Sequence, residues 1–381
     1  MSVNIKINFF SSEDADSINI YRATPSINVN SLPAPIANIP STSKEYQDSG
    51  LTKNTTYQYV VGSVYGSEEK ISDVINVNTS EPIIGTYSNL VYKLDQDFNL
   101  FYYNNINTLS GTAYAVDMDS DGNYYAVGAT NIVKTDKDNN LVWEYIYDTE
   151  TVWGDTIVKG QDGYVYVGLR DGRVLKINDA DGTIVWTNTD HTLQVNQLVV
   201  SFSGNVYTAS DDDSIKKILP DGTVSWTFDL FTNNVRGICM DENENIYAHG
   251  SDNTFRKISP SGTELWSKSG AYLTYYRRMF YRADSGILYL ISSNNLYNVN
   301  KQDGSLTLLF SLNLYNNAAS LIDMFVYDNG NILLTTSYTN DGFYIFYDPT
   351  GNILHSGTEF GRIDRIASSP GTQSIQLGLH T

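Results

Sequence analysis

The chain has 381 residues, 43 acidic against 24 basic side chains, a net charge of −19 and a pI near 4.4. That balance excludes a nucleic-acid backbone and an anionic membrane surface as partners, because both would repel it. A single cysteine, Cys239, excludes an internal disulfide and a multi-cysteine zinc site. Aromatic residues make up 13%, with 29 Tyr, which is far from the composition of a disordered acidic tail.

At the N-terminus, residues 1–9 alternate apolar and polar side chains as a half-buried strand does. They lack the 7–15-residue apolar core of a signal peptide. Nothing later approaches the ~20 apolar residues that cross a bilayer. The expectation is a chain without membrane insertion, made in the cytoplasm and either soluble there or released or assembled without the general secretory route. Residues 1–80 read as strands around a Pro- and Ser-rich stretch at 25–43. A strand is expected at Ile20-Tyr21-Arg22, another through Tyr57 and Tyr59, and a last one near residues 75–79. The pattern resembles a short fibronectin type III β-sandwich in which Tyr57 forms the tyrosine corner. Such a resemblance implies a spacer or docking module, here one that attaches to other virion or surface proteins. Glu81-Pro82 opens a linker at 81–85, and the remaining 86–381 form a second domain.

That second domain is periodic. Trp143, Trp186, Trp226 and Trp266 follow one another at 43, 40 and 40 residues. Each closes a turn-then-strand phrase such as Asp181-Gly182-Thr183-Ile184-Val185-Trp186, and degenerate copies on both sides bring the number to seven. A second phrase, such as Asp162-Gly163-Tyr164-Val165-Tyr166, alternates with the first and also occurs seven times. Four short strands per ~40-residue unit with Gly, Asp and Asn at the turns is the pattern of a propeller blade. The fold class expected is all-β: a seven-bladed β-propeller after an N-terminal sandwich, with virtually no helix. The first unit, near 86–103, contains two strands and the last, near 362–379, contains two, so the two ends are expected to complete one blade. Closing the ring removes exposed sheet edges.

The unit from Gly163 to Trp186 resembles the repeat of the quinoprotein-like (PQQ-like) propellers over roughly 86–381. The resemblance implies the fold. Quinone-dependent members of that family have eight blades, adjacent cysteines and calcium-binding carboxylates at the cofactor. One cysteine and seven blades leave pyrroloquinoline quinone without a site, so no cofactor is expected.

Three constellations are candidates for binding. Asp117-Met118-Asp119-Ser120-Asp121-Gly122 matches the opening of a calcium loop, with Gly128 where the twelfth-position acid belongs. A bound calcium on Asp117, Asp119 and Asp121 is one reading; a hairpin turn is the other. Aligning innermost strands by their turn glycines puts Asp155, Asn196, Arg236, Arg277 and Ile322 at one level near the axis. Gln197, Arg278, Asp323 and Asp364 lie one residue deeper. Loops entering these strands carry Trp153, His191, Phe231, Tyr272, Tyr275, Tyr276, Tyr315 and Phe360. Aromatic faces beside amides and carboxylates suit a sugar, and Arg277 and Arg278 suit an anionic sugar or a partner carboxylate, unless they pair with Asp323. Asp211-Asp212-Asp213 is a charge run on the same face.

Catalytic motifs are absent. The four histidines have no metal-ligand spacing, and there is no nucleophile elbow or phosphate loop. The expected function is that of a non-enzymatic interaction protein. Missing signal, abundant Asn and Tyr, and the fibronectin-like module resemble bacteriophage tail or virion accessory proteins, which implies a virion location and a host glycan or another virion protein as ligand. The alternatives are a polysaccharide-active enzyme using Asp155, Asp323 and Asp364, and a bacterial assembly scaffold of the PQQ-like type. The scaffold is disfavoured by the absence of a signal and of a lipid-anchored cysteine.

Overall fold

The computed structural model describes residues 3–9, 15–24, 26–43, 45–51, 56–72, 75–78, 83–86, 90–94, 100–105, 113–119, 121–136, 140–147, 154–270, 278–282, 285–292, 295–312, 320–327, 330–338, 341–361, 363–367 and 375–377. Every regular element among them is a β-strand. The chain forms two compact units: Met1–Glu81 with Asp119–Gly122 and Ser369–Thr381, and Pro82–Met118 with Asn123–Ser368.

The first unit contains two sheets. One pairs Ala37–Pro40, Ser17–Ala23, Thr56–Tyr65 and Glu68–Ile71 in that order, with Ile75–Asn78 also on Thr56–Tyr65. The other pairs Val3–Phe9 with Glu45–Leu51 and, in parallel, with Ile375–Leu377. Alternation buries Ile18, Ile20, Tyr57, Tyr59 and Val61 in one core with Leu51. Inside it Tyr59 ties its hydroxyl back to the preceding strand, donating to Asp48 at 2.8 Å. Asp48 also takes both of its oxygens to Arg22 at 2.8 Å, and Arg22 lies over the Tyr57 ring.

The second unit contains seven four-stranded antiparallel sheets. Blade one comprises Ala115–Met118, Tyr124–Val127, Asn131–Thr135 and Leu141–Ile146. Blade two has Gly154–Lys159, Tyr164–Leu169, Val174–Asn178 and Ile184–Asn188; blade three has Val195–Val200, Val206–Ser210, Ile215–Ile218 and Val224–Phe228. Blade four runs through Val235–Met240, Ile246–Gly250, Thr254–Ile258 and Glu264–Ser269. Blade five runs through Arg278–Arg282, Ile287–Ser292, Asn295–Val299 and Leu306–Ser311, and blade six through Ser320–Val326, Ile332–Tyr338, Asp341–Tyr347 and Ile353–Gly361. Each first strand lies against the first strand of the next blade, so the sheets stand round an axis.

The closing blade differs from the expected two-plus-two split. Only Ile363–Ala367 comes from the C-terminal side, as the innermost strand. Ile83–Thr86, Leu90–Leu94 and Leu100–Asn105 supply the other three. Ile83–Thr86 lies in the stretch read as linker and carries no glycine–aromatic phrase, so the repeat pattern could not show it. Ile375–Leu377, read as the second strand, pairs instead with Val3–Phe9.

The repeated residues hold neighbouring blades together. Second-strand Tyr125, Tyr166, Tyr207 and Tyr247 are fully buried. Each has a third-strand lysine over its ring, Lys134, Lys176, Lys217 or Lys257, at 5.2–5.3 Å. Each also packs against a fourth-strand Trp, with ring centroids 5.9–6.3 Å apart. The Trp indole N–H and the lysine ammonium then donate to one backbone carbonyl in the next blade. The acceptors are Asp179 for Trp143 and Lys134, Pro220 for Trp186 and Lys176, Pro260 for Trp226 and Lys217, and Lys301 for Trp266 and Lys257. Burial holds the Lys257 ammonium below its ordinary value.

That carbonyl belongs to the turn between third and fourth strands, and the turn's glycine lies under the indole. Gly182, Gly222, Gly262 and Gly304 have φ from +70° to +90°. A Cβ on any of them would come within 2.8–2.9 Å of the Trp of the preceding blade. Two constraints, a left-handed backbone and a ring in van der Waals contact, therefore select glycine. An Asp one residue before the glycine closes three of these turns through Thr or Ser two residues on, as in Asp221 with Thr223. In blade six the equivalent Asp348 sits three residues before Gly351. Its bonds from Asn352 and Thr350 hold its carboxyl at about 2.

Gly262→Ala will therefore lose about 2–4 kcal/mol of unfolding free energy, from a strained φ and a clash with Trp226 together. Gly66→Ala shares the positive φ but has open space around it, and will lose about 1 kcal/mol. Urea unfolding of both variants measures the difference; equal losses would mean that the indole contact contributes nothing.

Candidate functional site

The turn at 117–122 is the first of the three constellations. Asp117 accepts the backbone N–H of Lys159 in blade two at 2.7 Å and that of Met118 at 2.9 Å. Asp119 accepts the N–H of Asp121 at 2.9 Å, and Gly122 donates to the Asp119 carbonyl. The two inner carboxylates are thus engaged with backbone donors, which is the chemistry of a turn and of a join between blades. Among the described residues no three His, Cys, Asp or Glu side chains are grouped as a metal-ligand set.

At the axis, the alignment of first strands places Asp155, Asn196 and Arg236 at equivalent positions of blades two, three and four. Each bonds to a residue fifteen positions on, in the loop after its second strand. Asp155 receives Arg170 through Nε at 2.9 Å and Nη2 at 3.0 Å, a bidentate pair with the carboxylate buried. Asn196 donates to Asp211 at 2.6 Å, and Arg236 donates from Nε to Ser251 at 3.0 Å. Arg236 also reaches Asp211 at 3.1 Å, so blades three and four share one network. Asn196 makes a further bond to the Val235 carbonyl at 2.9 Å, and Gln194 donates to Asn196.

Gln197, one residue deeper, has a different task. Its side-chain oxygen accepts the backbone N–H of Ile238 at 3.1 Å, joining the inner strands of blades three and four. Thr156 makes the equivalent contact to Leu198 at 3.4 Å. Trp153, Tyr275, Tyr276 and Arg277 lie outside the described residues, as do Tyr272 and Tyr315. Arg278, Asp323 and Asp364 are placed by their strands alone: Arg278 opens blade five, Asp323 pairs with Thr335 in blade six, and Asp364 lies on the innermost strand of the closing blade.

Two loop aromatics face inward rather than toward a ligand. His191 is buried, with Nδ1 2.8 Å from Asp212 and Nε2 2.7 Å from Thr208. Phe231, at the same place one blade later, is buried edge-on against Phe228 beneath Arg256. Asp212 also accepts from Ser214 and from the Thr192 backbone. Burial opposes its charge, but the bonds from His191 and Ser214 win and hold the carboxyl well below the usual carboxylate range. Asp252 repeats the arrangement, accepting from Thr232 and Thr254. The run 211–213 therefore divides its work. Asp211 belongs to the axial network, Asp212 anchors two loops, and Asp213 takes a left-handed turn position at φ 66°.

Fixed in this way, the loops expose what the sequence did not flag. Leu193 is 51% and Leu230 54% exposed, on the loops that enter blades three and four, and the Arg236 side chain is 46% exposed. The fifteen-residue spacing shared by Asp155/Arg170, Asn196/Asp211 and Arg236/Ser251 was available as a signal; the exposure of the leucines was not.

Comparison with known proteins agrees with this geometry. Among solved structures, the WD40 β-propeller domain of Doa1 superimposes with a TM-score of 0.52 at 20% identity, over 70% of this chain and 86% of that one. The fold is that of a β-propeller. A structure of the mitotic checkpoint complex gives a TM-score of 0.56 at 13% identity, over 68% of this chain and 84% of that one. Residues 170–320 match a protein-family model described as outer membrane protein assembly factor BamB. No curated protein matches the chain.

If His191 and Asp212 anchor the loop face, Asp212→Ala will lose about 2–4 kcal/mol of stability, because it strands a buried imidazole. Thr192→Ala, on the same loop with an exposed side chain, will stay within about 0.5 kcal/mol of wild type. Chemical denaturation measures both, and an unchanged midpoint for Asp212→Ala would remove the anchor.

Proposed function

We propose that this chain is a non-catalytic interaction scaffold whose propeller binds a protein through the loops around its axis. One observation carries the reading: Arg236 stands half exposed in a fixed network, with exposed Leu193 and Leu230 on the loops of the same blades. An arginine held half exposed by its neighbours has the character of an interface hot spot. Asp155 is committed to Arg170 and buried, which leaves it poorly placed as one of a glycosidase's carboxylates. The match to a family described as an assembly factor, and the likeness to a structure of the mitotic checkpoint complex, support the same class of role.

The finer readings have narrower support. A fibronectin type III-like identity for the N-terminal unit rests on its strand pattern and on a tyrosine hydroxyl tied back to the preceding strand. A virion setting rests on composition and on the resemblance to tail and accessory proteins. A host glycan as ligand rests on the loop aromatics at 153, 275 and 276.

A photo-crosslinking residue placed at Leu230 in the full chain, in the cells that produce it, tests the proposal. A discrete protein adduct that weakens when Arg236→Ala is added, and is missing with the probe at Leu265 on the rim, is the expected result. Release of reducing ends from a polysaccharide, or glycan binding without any protein adduct, would replace the scaffold with an enzyme or a lectin.

A further inference from the structure

The large apolar side chains that the propeller exposes fall into two sets. Most lie on the outermost strands, and Phe202 lies in the turn between a first and a second strand. Among the described residues, only Leu193 and Leu230 are so exposed on the loop face around the axis. Both have a pinned main chain beneath an exposed side chain. The Leu193 carbonyl accepts the Ser210 hydroxyl at 3.1 Å, and the Leu230 carbonyl accepts Nη2 of Arg256 at 3.0 Å. Arg256 is itself held by Glu264 and by the Phe231 ring beneath it. Ordering these loops is therefore not a cost that a partner has to meet.

The charge around the two leucines is one-sided. Blades three and four are entered by the loops 189–194 and 229–234, and their second strands are followed by the loops 211–214 and 251–254. These four loops contain Asp190, Asp211, Asp212, Asp213, Asp229 and Asp252, and no Lys or Arg. Of the six, only Asp211 is paired with an arginine, Arg236, and none is paired with a lysine. The side chains of Asp213 and Asp229 make no hydrogen bond or ion pair among the described residues. The loops after the second strands of blades one and two differ. Residues 128–130 carry no charge, and 170–173 set Arg170 and Arg173 against Asp171.

Those carboxylates decide the occupant. A neutral partner covering Leu193 and Leu230 would strip water from the exposed Asp190 and Asp229 of the same loops and put nothing in its place. An acidic partner would be repelled, the more so by a chain of net charge −19. Lysine or arginine beside an apolar side chain meets both features: the apolar part covers the leucines, and the cations meet the carboxylates. We propose, resting on the reading of these loops as a protein-binding surface, that the partner docks through a basic segment with a large apolar side chain among its lysines or arginines.

Fluorescence anisotropy of the full chain with labelled peptides of repeated Gly-Leu-Lys, Gly-Ser-Lys and Gly-Leu-Glu triplets tests it. The Gly-Leu-Lys peptide should bind, and more weakly as NaCl rises from ~20 to ~300 mM; the Gly-Leu-Glu peptide should not bind. Asp190→Asn combined with Asp229→Asn should weaken binding about fivefold, the scale of two exposed charge pairs. Removing as many charges at the other end of the blades, by Asp181→Asn with Asp221→Asn, should leave it within about twofold. Leu193→Ser with Leu230→Ser should abolish the preference for Gly-Leu-Lys over Gly-Ser-Lys. Equal losses from the two aspartate pairs would reduce the effect to net charge and overturn the proposal. So would equal binding of the Gly-Leu-Glu peptide, a leucine preference that survives the serine pair, or saturable uptake of calcium with no peptide bound. The adduct formed through Leu230 separates this inference from the scaffold reading. A crosslinked segment that is neutral or acidic overturns the basic partner and keeps the scaffold, whereas the absence of any protein adduct overturns the scaffold.

Discussion

The propeller depends on one contact made again at each join from blade one to blade five: an indole of one blade lying on the turn glycine of the next, with the indole N–H and a lysine ammonium sharing that turn's carbonyl. The contact is specific because it fixes three things at once. It demands a residue without Cβ at positive φ, a ring large enough to cover the turn, and a carbonyl left free by the hairpin. Where the ring changes, the arrangement is kept in outline: Phe310 takes the place of an indole over Gly351. The apolar clusters run across the joins in the same way, blade one with two, two with three, three with four, four with five and five with six. With cores shared across these joins, the stability of each blade is tied to that of its neighbours.

From that framework follows the division of labour between the two ends of each blade. Turns between first and second and between third and fourth strands are spent on holding blades together, through Tyr, Lys, Trp and the carboxylates that receive the tyrosine hydroxyls, such as Glu244 for Tyr207. The opposite loops are tied down by residues such as His191, Asp212 and Asp252, and can present side chains. Arg236, Leu193 and Leu230 are exposed there because the anchoring of their loops is done by others.

This division explains what could be read from the residues alone. The Trp ladder and its glycines disclose the blade count because each letter is forced by a contact. Ile83–Thr86 was hidden because a second strand of the closing blade needs only apolar residues and a place to pair. Asp155, Asn196 and Arg236 were correctly brought to one level, since the register of first strands follows from the turn glycines. Their partners Arg170, Asp211 and Ser251 were not assigned, because they lie in loops whose course depends on where the neighbouring blade stands. His191 and Phe231 were misjudged as ligand-facing for the same reason: a loop aromatic that anchors and one that displays have the same sequence.

Closure of the ring by Ile363–Ala367 on Ile83–Thr86 is the claim on which the placement of every loop rests, and it can be tested by a covalent bond. Ile84 and Ile366 are directly paired across that ladder, within the distance a disulfide requires, and the only native thiol is buried. In the double variant Ile84→Cys with Ile366→Cys, oxidation should give an intrachain bond in monomeric protein and raise the urea midpoint. Failure to form that bond while the protein stays folded, or formation only between chains, would contradict a ring closed by these two strands.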